Sequence, residues 1–191
     1  DHFVNFRERF VYDDRLYFPD YCFVCDLESY QIALRALAPY ESIYICENFL
    51  ISYVKSQMEK ITYDRKLKEN SVLYVLENVK EDWGKDLRPW EVAFKNFYYN
   101  FYIHSNLEKI LVRPHPKDAK LVYRVLQEYK DIVFDYHTSP VKSLSRVSTV
   151  VGIESYLLYV AYHCGFAVYT SLPVEIRNPR LPAHVYKRFG H

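Results

Sequence analysis

Glycine is scarce in this sequence, with four glycines among 191 residues, and no GxGxxG, P-loop or GxSxG pattern occurs. Loops of the first two kinds need glycine because a residue without Cβ lets the backbone close around phosphate groups. The shortage argues against a loop that cradles a dinucleotide or a triphosphate. It also excludes the nucleophile elbow of the α/β-hydrolases.

Cysteine is also rare, and four cysteines in a chain of this length form no disulfide framework, which favours a cytoplasmic protein. Cys22 and Cys25 have the spacing of a metal or redox pair, but no second CxxC completes a zinc site. Residues three apart in a strand point to opposite faces. We therefore interpret the two as buried thiols of a central strand, and we expect no metal.

Long apolar runs and an excess of charge are missing as well. The longest apolar candidate, 155–165, is shorter than the roughly 18–20 residues of a membrane span and is interrupted by His163. Twenty-five basic and 24 acidic residues leave a net charge of +1, which gives a nucleic-acid partner no electrostatic support. The chain begins at Asp1 without Met or a signal-peptide pattern, so we expect either a processed product or a fragment.

The chain does show a regular alternation of β-rich runs and helical stretches. Strands are predicted at 21–26, 42–46, 71–76, 110–112, 132–134, 147–151 and 166–169. Helices are predicted at 27–38, 48–61, 89–105, 117–129, 141–146 and 154–164. This order predicts an α/β fold, in which a parallel sheet carries helices on both faces.

The organisation into units follows from one polar stretch. Residues 62–70 are highly charged without apolar periodicity, which predicts a linker. It separates a partial α/β unit, 1–61, from a more complete domain, 71–175. The Pro-rich segment from residue 173 is expected to be extended on the surface, with 176–191 as a C-terminal tail. The sequence sets no oligomeric state.

The turn Arg113-Pro114-His115-Pro116 follows a predicted strand. Its prolines stiffen the backbone on both sides of the histidine. His115 can donate a hydrogen bond to a phosphate oxygen or act as an acid near neutral pH, and Arg113 can bind the same anion through two N–H groups. Ligands of open parallel sheets bind at the carboxyl ends of the strands. The turn therefore predicts a phosphate or nucleotide site; the alternative is a stiff connecting turn with an exposed histidine.

A second candidate motif, Gly152-Ile-Glu-Ser155, follows the strand at 147–151. Gly152 permits a close backbone approach, and Glu154 and Ser155 in a first helical turn suit ribose hydroxyls and phosphate. The alternative is ordinary helix capping. Asn78, with Glu77, ends the strand at 71–76 and is either a further lining residue of the same crevice or part of a simple turn.

An acidic pair, Asp13-Asp14, supplies the candidate for a catalytic base. A carboxylate can take a proton from an attacking hydroxyl group. The alternative is that both side chains are solvated near the chain end. Asp14 is the residue predicted to act as the base.

Two strings of residues carry a family resemblance. The string at 110–117, ILVRPHPK, lies some 35 residues before VVGIES at 150–155, and together they resemble the C-terminal half of GT-B glycosyltransferases. The likeness is strongest to bacterial sialyltransferases and to capsule- or lipooligosaccharide-modifying enzymes with an HP motif. His115 and Pro116 match that motif, and Ser155 matches the later serine motif. Glu154 stands where the family usually carries a second Ser or Thr.

The resemblance implies two facing Rossmann-like domains, with the donor nucleotide held mainly by the C-terminal one. The expected function is transfer of a sugar, such as sialic acid or a related acidic sugar, from a nucleotide-sugar donor to a bacterial surface glycan. No cofactor or metal is expected, and the acceptor allows peripheral association with the inner face of the membrane. The alternatives are a CDP-glycerol type of polyol-phosphate transferase and a non-catalytic nucleotide-binding or interaction module. The predicted catalytic residues are His115 and Asp14, and the predicted nucleotide-binding residues are Arg113, His115, Pro116, Gly152, Glu154, Ser155 and Asn78.

Overall fold

The structure, a computed structural model, describes residues 6–61, 70–84, 86–115 and 119–189. Its helices are α1 (Phe6–Phe10), α2 (Leu27–Leu37), α3 (Phe49–Glu59), α4 (Pro89–Asn100), α5 (Ala119–Leu126), α6 (Pro140–Leu144) and α7 (Tyr156–His163). Its strands are β1 (Val11–Tyr12), β2 (Arg15–Leu16), β3 (Cys22–Val24), β4 (Ile43–Ile45), β5 (Ser71–Val75), β6 (Lys109–Arg113), β7 (Ile132–Phe134), β8 (Thr149–Gly152) and β9 (Ala167–Thr170). No helix in these ranges is long and apolar enough to cross a membrane.

A five-stranded parallel sheet with the strand order β7-β6-β5-β8-β9 forms the centre of the larger unit. The chain builds β5, β6 and β7 toward one edge and then returns to place β8 on the other side of β5. The strand order thus reverses between β5 and β8. In the register of the sheet, Val75 lies opposite both Arg113 and Gly152, so β5, β6 and β8 end at the same level. This arrangement confirms the predicted α/β, Rossmann-like fold.

Alternate residues of the central strand serve two separate cores. Every residue of β5 is buried, as expected for a parallel strand covered on both faces. Leu73 and Val75 belong to the core formed with α3, α6 and α7, whereas Val72 and Tyr74 belong to the core formed with α4 and α5. Because side chains of a strand alternate between faces, the apolar run of β5 fixes a three-layer arrangement.

Aromatic side chains of α4 dominate one of these cores. Phe94 and Phe97 contact the ring of Tyr74, with ring centroids 5.0 and 4.9 Å apart. The Tyr74 hydroxyl lies 3.0 Å from the Ser171 hydroxyl, which satisfies both groups inside the core. Helix α4 begins at Pro89, a favourable first position, but it ends at Asn100 rather than at residue 105, and a 3-10 turn follows it.

A hairpin near the N-terminus was not predicted. Strands β1 and β2 are two residues each and are joined by Asp13 and Asp14, which both have positive φ values of 47° and 57°. Tight two-residue hairpins need this left-handed backbone, and aspartate tolerates it better than most residues do. Two-residue strands carry no alternation of apolar and polar residues, so the sequence pattern could not show them.

The cysteine prediction is only partly right. Strands β3 and β4 form a separate two-stranded parallel sheet, so β3 is not a central strand. Cys22 is buried at the start of β3, but Cys25 lies beyond its end and is half-buried. The expectation of two buried thiols is wrong for Cys25 because the strand stops one residue before it. None of the four cysteines forms a disulfide.

Helix α3 joins the N-terminal residues to the five-stranded sheet. Its side chains Ile51, Val54 and Met58 lie in the same core as Leu73 and Val75. Polar contacts add to this packing: the side chain of Asn48, the N-cap of α3, donates to the Tyr156 hydroxyl, and the Tyr159 hydroxyl donates to Asp26. Residues 62–69, most of the predicted linker, lie outside the described residues.

The prediction of a surface-lying C-terminal segment is wrong. Leu181 and Val185 are 3% and 1% exposed and belong to the same core as α3 and α7. Backbone hydrogen bonds connect Lys187 to both Val168 and Thr170, so this part of the chain runs along β9. The prolines hid these apolar anchors, because Pro-rich segments usually lack regular hydrophobic periodicity.

Replacing Phe94 with Ala tests the aromatic core. We expect Phe94→Ala to lower the free energy of unfolding by about 3–5 kcal/mol, because a fully buried ring leaves a cavity among packed neighbours. Tyr99→Ala, on the same helix but 52% exposed, should cost less than about 1 kcal/mol. Urea unfolding measures both; equal losses would contradict the assignment of the core.

Candidate functional site

A cavity of about 290 Å³ lies at the carboxyl ends of β5, β6 and β8, where the strand order reverses. It is lined by Leu50, Val54, Val75, Leu76, Arg113, Pro114, His115, Pro140, Ser155, Tyr156, Leu157 and Val160. Residues from the two predicted motifs, His115 and Ser155, therefore share one cavity although they are far apart in the sequence. This is the position at which open α/β sheets bind their ligands.

Two larger cavities lie elsewhere. One of about 730 Å³ is lined by Ser148 and Phe166, which precede β8 and β9, and so lies at the opposite edge of the sheet. The other, of about 490 Å³, lies beyond β9 and is lined by Thr170 and Arg188. Neither contains a residue of the two predicted motifs. The smaller cavity at the strand-order reversal is the candidate site.

Glu77 is the residue that organises this edge of the sheet. One oxygen of its carboxyl group, Oε1, accepts backbone N–H groups from Ile153, Glu154 and Ser155 at 3.0, 2.8 and 2.7 Å. These groups lie just before α7, where a helix leaves its N–H donors unpaired. Burial raises the pKa of Glu77 to about 7, and the three N–H groups oppose that rise. Glu77 thus connects the end of β5 to the start of α7.

Gly152 is favoured by its close approach to the backbone of β5. A Cβ at this position would lie 3.0 Å from the Val75 carbonyl oxygen and 3.4 Å from Oε1 of Glu77. The glycine was predicted to permit the close approach of a ligand. In the structure, the groups closest to it are the backbone of β5 and the Glu77 carboxylate.

Ser155 and Glu154 take different positions from those predicted. Helix α7 begins at Tyr156, so both residues precede the helix instead of occupying its first turn. Ser155 is the N-cap, and its hydroxyl accepts the N–H of Leu157 at 3.3 Å. The capping alternative therefore describes the Ser155 hydroxyl, which nevertheless belongs to a residue that lines the cavity.

The carboxylate of Glu154 binds residues near the C-terminus. Its two oxygens accept Nη1 and Nη2 of Arg177 at 2.8 and 2.7 Å, and Oε2 also accepts the Arg180 N–H at 2.9 Å. Glu81 binds the same two arginines, and Arg177 holds the pKa of Glu81 below its ordinary value. No sequence pattern pointed to Arg177, because it lies in the Pro-rich segment that was expected to be extended on the surface.

Arg113 is held by the loop that follows β7. Its Nη1 lies 2.7 Å from the Ser143 hydroxyl, 2.6 Å from the His137 carbonyl oxygen and 3.3 Å from Asp135. The Asp135 side chain is fully buried, and its second cationic neighbour, Arg146, is 3.7 Å away. Arg113 therefore lines the cavity while its guanidinium anchors a neighbouring loop. Phosphate binding by Arg113 stays a prediction.

The remaining predicted residues are dispersed. His115 lines the cavity and is half-buried, but its neighbour Pro116 lies outside the described residues. Asn78 is exposed and is not among the residues that line the cavity. Asp14 lies in the exposed turn between β1 and β2 and does not line the cavity either. Within the described ranges, no group of three or more His, Cys, Asp or Glu side chains is arranged to hold a metal ion.

The anchoring role of Arg113 predicts a strong coupling to Asp135. Arg113→Leu should lower the free energy of unfolding by about 3 kcal/mol, because it leaves the buried Asp135 carboxylate with Arg146, a partly exposed side chain 3.7 Å away, as its remaining cationic neighbour among the described residues. The double variant Arg113→Leu/Asp135→Leu should cost clearly less than the sum of the two single variants, as measured by urea unfolding. Additive losses would show that the two side chains do not depend on each other.

The raised pKa of Glu77 predicts a pH effect on stability. Between pH 4.5 and 7 the folded state keeps a proton that the unfolded chain has released, so this group makes stability fall as the pH rises. Glu77→Gln keeps an oxygen for the three N–H groups and removes the titration. The stability of this variant relative to the unmodified protein should therefore increase by about 3 kcal/mol across that range.

Urea unfolding at several pH values measures this difference, and comparison of the two proteins cancels the titration of all other groups. A difference that does not change with pH would contradict the raised pKa of Glu77.

Comparison with known proteins identifies the fold. No protein-family model matches the sequence, and no curated protein matches it. Among solved structures, the chain is similar to the crystal structure of Methanocaldococcus jannaschii UDP-GlcNAc 2-epimerase in complex with UDP-GlcNAc and UDP, with a TM-score of 0.57 and 12% sequence identity. The match covers 78% of this chain and 44% of the epimerase chain. The chain thus shares its Rossmann-like α/β fold with part of that epimerase, and it spans less than half the length of that enzyme.

Proposed function

We propose that this chain binds the phosphate-bearing part of a nucleotide sugar in the cavity at the strand-order reversal. The observation that carries the proposal is the meeting of His115 and Ser155 in one cavity at the carboxyl ends of β6 and β8. These are the two motifs on which the resemblance to glycosyltransferases depends. The fold shared with an epimerase solved with UDP-GlcNAc and UDP supports the same class of ligand.

The size of the cavity limits what it holds. A volume of about 290 Å³ lies at the lower end of the range for small-molecule sites. It fits a phosphate and part of an adjoining ring better than a complete nucleotide sugar. Its polar lining at His115 and Ser155 suits the phosphate, while Leu50, Val54 and Val160 offer an apolar wall to a ring.

The activity that we propose is glycosyl transfer to a bacterial surface glycan. An acceptor hydroxyl oxygen forms a bond to the anomeric carbon of the donor sugar, and the bond from that carbon to the phosphate oxygen breaks. The electron pair leaves with the phosphate, where a hydrogen bond from His115 stabilises the developing charge. The proton of the hydroxyl passes to a carboxylate, for which Asp14 is the sequence-based candidate.

A second candidate function is nucleotide binding without sugar transfer. The exposed hairpin position of Asp14 favours it, because this carboxylate does not line the cavity. Donor turnover separates the two functions. The assay supplies CMP-sialic acid, UDP-GlcNAc or CDP-glycerol, follows release of the free nucleotide, and so also distinguishes sugar transfer from polyol-phosphate transfer.

Calorimetric titration with CMP, UDP and GDP tests the nucleotide site. At least one nucleotide should bind, and His115→Ala should weaken its affinity about 10- to 100-fold through loss of a charge-assisted hydrogen bond. His104→Ala is the matched control, because His104 is exposed in the 3-10 turn before β6.

The control should bind as the unmodified protein does. If none of the three nucleotides binds the unmodified protein at millimolar concentration, the proposed function is wrong for this chain.

A further inference from the structure

The N-terminus of α7 is filled by a group of the protein itself. Helix N-termini attract anions because their N–H groups are unpaired and the helix dipole is positive there. At α7 the anion is the Glu77 carboxylate, which takes three successive backbone N–H groups on one oxygen. Within the first turn of the helix, the N–H of Leu157 is taken by the Ser155 hydroxyl and the N–H of Leu158 by the Ser155 carbonyl oxygen.

The neighbouring titratable groups are either paired or neutral, so the Glu77 carboxylate is the anion at the start of α7. Glu154, whose charge also raises the pKa of Glu77, is itself paired with Arg177 and Arg180. Tyr74 also interacts electrostatically with Glu77. It is fully buried and its pKa is raised, so it carries no charge at neutral pH. Among the residues that the structure describes, none forms an ion pair with Glu77.

Glu77 also lies directly behind the wall of the candidate site. Its chain neighbour Leu76 lines the cavity, and so does Ser155, whose N–H it accepts at 2.7 Å. A phosphate that reached the N-terminus of α7 from the cavity would meet a carboxylate in place of free donors. Gly152, where a Cβ would lie only 3.0 Å from the Val75 carbonyl oxygen, allows β8 to lie close to the end of β5 here.

We infer that Glu77 is a specificity-determining residue that takes the three backbone N–H groups directly in front of α7 and so directs ligand phosphate to the His115 side of the cavity. The inference rests on the proposed nucleotide site and adds to it the side on which the phosphate lies. A second phosphate of a ligand finds the N–H groups of residues 153–155, 157 and 158 already taken. The protein therefore gains little affinity from a second phosphate.

Inorganic pyrophosphate is the probe that tests this role, since it needs no pocket for a base or ribose. Glu77→Gln removes the charge and keeps the acceptor, whereas Glu77→Ala also frees the three N–H groups. At pH 8, where Glu77 is ionised, we expect pyrophosphate to bind Glu77→Gln at least about fivefold, and Glu77→Ala at least about tenfold, more tightly than the unmodified protein. Glu128→Gln, which neutralises an exposed carboxylate beyond the end of α5, should leave the affinity unchanged.

Isothermal calorimetry measures these affinities, and circular dichroism confirms that each variant is folded. The glutamine variant alone carries the test if the alanine variant does not fold. Pyrophosphate affinities of the folded Glu77 variants within twofold of the unmodified protein would overturn the inference. If CMP, UDP and GDP all fail to bind the unmodified protein, the proposed function fails, while a gain of pyrophosphate affinity still supports the role of Glu77.

Discussion

The contact between the Glu77 carboxylate and the start of α7 is the interaction on which the candidate site depends. It connects the central strand to the helix that follows its neighbour β8, at the place where the strand order reverses. Three N–H groups that would otherwise need water or a ligand are satisfied inside the protein. The hydrogen bond from the Ser155 N–H to Glu77 holds a residue that lines the cavity.

Ionic contacts likewise hold two residues of the predicted motifs within the fold. Arg113 fixes the loop after β7 through Asp135, and Glu154 fixes the C-terminal segment through Arg177. Arg113 and Glu154 are the two of these residues that were predicted to bind the nucleotide. A side chain that the fold already holds at hydrogen-bonding distance loses little further conformational entropy when it pairs. It therefore competes well with a mobile ligand for the same charged group. His115 and Ser155 remain as the predicted residues that meet in the cavity.

The alternation of strands and helices was predictable from the sequence, but the N-terminal hairpin and the packing of the C-terminal segment were not. The buried run at 71–76 is easily recognised in the sequence because a parallel strand covered on both faces is apolar on both faces. The β1–β2 hairpin escaped prediction because its strands are two residues long. The C-terminal segment escaped because Leu181 and Val185 are isolated anchors among prolines. These two side chains share their core with residues of α3, which lie more than a hundred positions earlier in the chain.

Local patterns were enough to predict the fold class, the stiff turn at His115 and the position of both motifs after strands of one sheet, because periodicity and proline act locally. The pairing of the charged side chains became visible only in the folded chain. Glu77, Asp135 and Arg177 each meet their partners through strand order and chain return, which no local pattern records. The physical reason is that hydrogen-bond pairing is exclusive: a group that is satisfied within the fold is no longer available to a ligand.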